Sequence, residues 1–132
     1  MNKKLILGLS MFGLFMAIAT VFFIPSNIEP ICWGAIMAIC ALIIARNAPG
    51  KYFLHGFYVC LLNCLYITTI HILLFDQYVA HHAEEMAMMK DMPMHDSPKL
   101  LMALTGPVIG IATGIILGLL SWGASKLFNK KK

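Results

Sequence analysis

The sequence predicts an all-α integral membrane protein with four transmembrane helices, and three observations predict it. The first is composition. Of 132 residues, 60% are hydrophobic and only 12% charged, with a mean hydropathy of +0.81, where a soluble domain carries roughly 25% charged residues. The second is blocking. Leu5–Ile24, Ile31–Ala45, Tyr52–Phe75 and Leu100–Ser125 carry no Asp, Glu, Lys or Arg, and a bilayer core needs roughly 20 helical residues. The third is the sidedness of charge. Numbering the connections from the N-terminus, Lys3, Lys4, Arg46, Lys51, Lys126, Lys130, Lys131 and Lys132 fall on one side. All 6 acids, Glu29, Asp76, Glu84, Glu85, Asp91 and Asp96, fall on the other, joined only by Lys90 and Lys99. The positive-inside rule then puts both termini in the cytoplasm. The net charge of +4 is thus a topology signal, and no basic folded domain is present to bind nucleic acid. The chain reads as one domain, with spans at about 5–24, 28–45, 52–75 and 100–125 and an outer connection at 76–99.

The first span begins after a Lys pair and contains the small-x-small sequence Ala17-Ile18-Ala19, as a cleaved signal does. The apolar run continues to Ile24, longer than a signal core, so it is read as a retained helix. Gly13 and Ala17 offer it a packing face. Pro25-Ser26-Asn27 makes a short outer turn, with Asn27 as candidate cap of the second helix and Pro30 in its first turn. Gly34, Ala38, Ala41 and Ala45 form a seam of small residues along that helix, and Trp33 suits the outer interface. Arg46–Lys51 is a cytoplasmic turn broken at Pro49-Gly50.

The third span is chemically the richest. At 100° per residue, Gly56, Cys60, Cys64, Ile67, His71 and Tyr78 share a narrow stripe with Asn63 at its edge. Polar groups in hydrocarbon are expensive, so this stripe is expected to face protein or water. His55 points elsewhere, towards the cytoplasmic headgroups. Beyond Phe75 the Ala, Glu, Met and Lys residues favour helix, so the third helix is expected to extend beyond the membrane as far as Pro93. Phe75, Val79, His82, Met86 and Met89 would line one face of that extension. Ser97-Pro98 reads as the start of the last helix. Within it Gly106, Gly110, Gly114 and Gly118 recur every fourth residue, a face on which two backbones approach closely. Pro107 is expected to bend it, and the basic tail to touch anionic lipid.

The chain resembles a family of small four-helix bacterial inner-membrane proteins of uncharacterised function. The likeness rests on Gly56, Phe57 and Asn63 in the third span, the acidic outer segment with Tyr78, and the last helix with Pro107 and its glycines. The resemblance implies an inner (plasma) membrane location. That family carries no established activity, so it assigns no residue a role.

Three functions follow from the residues. The leading one is a non-enzymatic assembly subunit or partner-binding module, associating with itself or another membrane protein and with lipid. No serine sits in a nucleophile elbow, and the acids lie in a solvated stretch rather than as an acid–base pair. The second is handling of soft metal at the outer face, because thioether and imidazole suit Cu(I). Its candidate ligands are His81, His82, Met86, Met89, Met92, Met94 and His95, with Met88 in the same run. A donor path would continue inward through His71 to Cys64 and Cys60. The third is an oligomeric pore lined by the third helix. The 4 cysteines lie mostly within spans, which excludes an oxidative scaffold.

Overall fold

The computed structural model describes residues 1–129, so Lys130, Lys131 and Lys132 of the basic tail lie outside it. The described secondary structure is helical throughout: α1 (Lys3–Phe22), α2 (Glu29–Asn47), α3 (Tyr52–Leu73), α4 (Phe75–His81), α5 (Ala83–Lys90) and α6 (Pro98–Asn129). By length and composition α1, α2, α3 and α6 are each able to cross a membrane. Their outward faces are studded with large exposed apolar side chains such as Phe15, Leu65, Val108 and Leu127. Water would penalise such a surface and hydrocarbon would not.

Local chemistry sets the helix ends. Asn2 caps α1, its side chain accepting the Leu5 N–H at 3.2 Å. The backbone N–H of Asn2 donates to Nε2 of His55 at 3.0 Å. Nδ1 of His55 donates to the Lys51 carbonyl at 3.0 Å. Both ring nitrogens are therefore used, and His55 is 0% exposed rather than turned to headgroups. At the other end Ile28, not Asn27, is the N-cap of α2, with no side-chain cap. Pro30 removes one orphan donor, and the Ile28 carbonyl takes the Ile31 N–H at 3.1 Å, leaving Asn27 little to satisfy. Before α3 the chain reverses through Gly50 at φ 127° and Lys51 at φ 50°. The first of these is open to glycine and strained for any side chain.

The expected extension of α3 is helical but not continuous. It breaks at Leu74 (φ −107°, ψ 38°) and again at His82 (φ −129°, ψ 54°). No Gly or Pro causes either break. Helix propensity in such a run is worth only tenths of a kcal/mol per residue. Satisfying the buried polar groups described below is worth more. The breaks fold α4 back towards α1, where Tyr78 packs with Val21 and Met102 in a small buried cluster. α6, by contrast, continues as one helix past Pro107.

α3 and α6 form the central pair, α1 covers α3, and α2 covers α6 while meeting α3 only lightly. The four-residue glycine recurrence faces α3 within this chain. A Cβ on Gly110 would lie 2.7 Å from Cβ of Cys64, and one on Gly114 2.9 Å from the Phe57 ring. One on Gly118 would lie 2.7 Å from the Phe53 ring, and one on Gly106 would strike the Thr68 hydroxyl. Gly56 answers from α3, against the Leu117 backbone of α6. Small residues here permit contact between main chains. On the other side of α3, Gly13 of α1 makes room for Asn63. With its amide nitrogen turned to the carbonyls, Asn63 donates to Ser10 at 3.0 Å and to Val59 at 3.3 Å.

Candidate functional site: a polar-mouthed cavity

Because α2 stands off α3, a cavity of about 390 Å³ remains between α2, α3 and α6. Cavities of roughly 300–1,000 Å³ are the usual size for small ligands. At the end away from the termini it is lined by Glu29, Trp33, Tyr78 and Glu85. Its middle is made by Ile67, Thr68, Thr105 and Ile109, and its far end by Cys40, Cys60 and Leu117. The expected polar stripe of α3 is brought together on this wall: Cys60, Asn63, Cys64, Ile67 and His71 all border the same space, and so does Tyr78. Cys40 and Cys60 lie in one buried cluster. The Cys64 thiol donates to the Gly106 carbonyl at 2.6 Å and so ties α3 to α6.

A larger groove of about 890 Å³ runs between α1, α3 and α6, past Leu7, Leu61, Leu65 and Pro107. Its wall is almost wholly apolar and no polar groups converge there, so acyl chains suit it and site chemistry does not.

The mouth of the cavity is a continuous polar array. Nε2 of His71 lies 2.8 Å from the Thr20 hydroxyl of α1. The His71 ring stacks on Tyr78 with centroids 4.2 Å apart, and Tyr78 stacks on His82 at the same separation. Nε2 of His82 meets Oε2 of Glu29 on α2 at 3.0 Å. Nδ1 of His82 meets the Tyr78 carbonyl at 3.1 Å. Glu85 accepts from the Ser26 hydroxyl at 2.6 Å, and the Trp33 indole donates to Oε1 of Glu29 at 3.3 Å. The array thus joins α1, α2, α3, α4 and α5. Burial pushes the Tyr78 phenol up, and the Glu29 and Glu85 carboxylates push it the same way, so it stays protonated and neutral. Among the described residues no buried side-chain nitrogen or oxygen lacks a partner.

The outer segment residues separate. His82 is 0% exposed and engaged by Glu29, while His81, Met88, Met92, Met94 and His95 are exposed. Met86 is half-buried, and Met89 turns into the cavity wall. His95 pairs with Asp96 at 3.2 Å in open solvent, where such pairs contribute little. The donor set expected from the sequence, with His82 among thioethers, is therefore divided: the imidazole faces carboxylates. Sequence reasoning assigned Glu29, Glu85, Thr20 and Trp33 no part in a site. One signal was present. Glu29 is the sole acid before Asp76, and it stands at the head of an apolar helix. No family model, curated protein or solved structure matches the chain, so the site is read from its own chemistry.

Proposed function

We propose that this is a non-enzymatic, multi-pass membrane protein that admits a small ligand or ion from the outer face into the cavity between α2, α3 and α6. The observation that carries the proposal is the polar array at one end of an otherwise apolar cavity. An apolar chamber with a few convergent polar groups is the usual form of a small-ligand site, and ionisable groups placed among membrane helices mark binding or passage. The distribution of Lys and Arg supports an outer position for that end. The assembly and pore readings have less support. The α6 glycines are occupied by α3 in the same chain, and α3 is flanked by α1 and α6.

Thiol labelling in detergent tests this. On a cysteine-free background, Ile67→Cys in the cavity wall is expected to react with a small cationic methanethiosulfonate. Adding Met37→Trp, which fills the same space, should slow the reaction about tenfold or more. Labelling unaffected by the filler would contradict the proposal.

A further inference from the structure

We propose that Glu29, His82 and Glu85 form a binding site for a first-row divalent cation of the Zn(II) class, at the mouth of this cavity. One ligand atom from each residue lies within 4.8 Å of the others. A four-coordinate ion with bonds of about 2.1 Å holds its donors about 3.4 Å apart, a small contraction for two glutamates. His82 Nε2 and Glu29 Oε2, 3.0 Å apart as a hydrogen-bonded pair, would open by about 0.4 Å to admit the ion.

The hydrogen bonds select the ligand atoms. A carbonyl only accepts, so the bond from His82 to the Tyr78 carbonyl places the proton on Nδ1. In the neutral ring Nε2 then presents a lone pair to a carboxylate. Two acceptors facing each other require a cation between them. A proton on Nε2 would balance one carboxylate and leave the other. Among the described residues, neither glutamate has an ion pair with Lys or Arg, so a divalent ion balances both.

Each ligand also has a further hydrogen-bond partner. Trp33 donates to the far oxygen of Glu29, Ser26 donates to Glu85, and Tyr78 fixes the imidazole. Outer partners of this kind orient metal ligands and tune them. One imidazole and two carboxylates suit Zn(II), Co(II), Fe(II) or Mn(II) and not Cu(I), which prefers sulfur. Three protein ligands leave a coordination position open. The break at His82 gains a reason here, since it brings the ring inward to Glu29 while α5 carries Glu85 to the same point.

The inference deepens the cavity reading by naming the ion at its mouth, yet its test needs no access to Ile67. Co(II) and Zn(II) are titrated into the purified full chain in detergent, with calorimetry and Co(II) absorption as readouts. One ion per chain is expected, with thermal stabilisation on binding. Glu29→Gln and Glu85→Gln should each weaken affinity about tenfold or more, and His82→Gln should remove the Co(II) spectrum. The triple variant Met92→Leu, Met94→Leu, His95→Gln should bind as wild type. Should His82→Gln fail to fold, the two glutamine variants decide alone. Absent binding in wild type, affinity unchanged in both glutamine variants, or loss in the triple variant would each overturn the site. Metal binding without Ile67→Cys labelling would sink the cavity reading and leave this one standing, and the converse holds.

Discussion

Gly56→Leu is expected to abolish the cooperative thermal unfolding of the purified protein, and Gly56→Ala to lower its stability by about 1–3 kcal/mol, the usual cost of overpacking. A Cβ at this position lies 2.7 Å from the Leu117 carbonyl oxygen and 2.9 Å from the Gly118 nitrogen. Those are main-chain atoms, so no rotamer change relieves the contact, and α6 must move off α3. The cavity wall and the Cys64 bond to Gly106 would go with it. Gly34 and Gly123 have nothing within 4 Å of an added Cβ, so leucine at either should melt as wild type. If Gly56→Leu melted like Gly123→Leu, the α3–α6 contact would be wrong.

The second large effect is expected at His71. His71→Ala removes both the Thr20 contact across the bundle and the stack on Tyr78, and leaves a void beneath a buried ring. The Thr20 hydroxyl keeps its bond to the Ala17 carbonyl at 3.2 Å, so the lost hydrogen bond costs about 0.5–1.5 kcal/mol, and the lost volume adds to that. His71→Phe keeps a ring against Tyr78 and loses only the hydrogen bond, so it should cost less. A double-mutant cycle of His71→Phe with Thr20→Val isolates the pair. Interhelical hydrogen bonds in membranes average about 0.6 kcal/mol and reach about 1.7, and the coupling is expected in that range. Additive effects would mean that Thr20 and His71 do not interact.

Much of the framework was legible because membrane helices leave strong marks. Uncharged blocks gave the four long helices. The 100° spacing gave a stripe that includes Cys60, Asn63, Cys64 and His71. The four-residue spacing of Gly106, Gly110, Gly114 and Gly118 gave a close-packing face, although spacing alone does not say which helix covers it. The mouth was less legible because it depends on contacts between residues far apart in the chain. Glu29 pairs with His82 across 53 positions, and Ser26 with Glu85 across 59. The breaks at Leu74 and His82 were invisible because the local residues favour helix. There tertiary pairing overrides propensity, and His82 leaves the methionines for the carboxylates.

The central claim is that the cavity opens at the face bearing Glu29 and Glu85, and labelling from one side at a time tests it most directly. Ile67→Cys on a cysteine-free background is placed in sealed right-side-out and inverted vesicles and treated with a membrane-impermeant cationic thiol reagent. Leu65→Cys, at a residue of the same helix that is itself 60% exposed and turned away from the cavity, serves as the lipid-facing control. The account predicts labelling at position 67 in right-side-out vesicles alone, slowed by Met37→Trp, and none at position 65. Labelling of position 67 only from the cytoplasmic side, or equally from both sides, would contradict it.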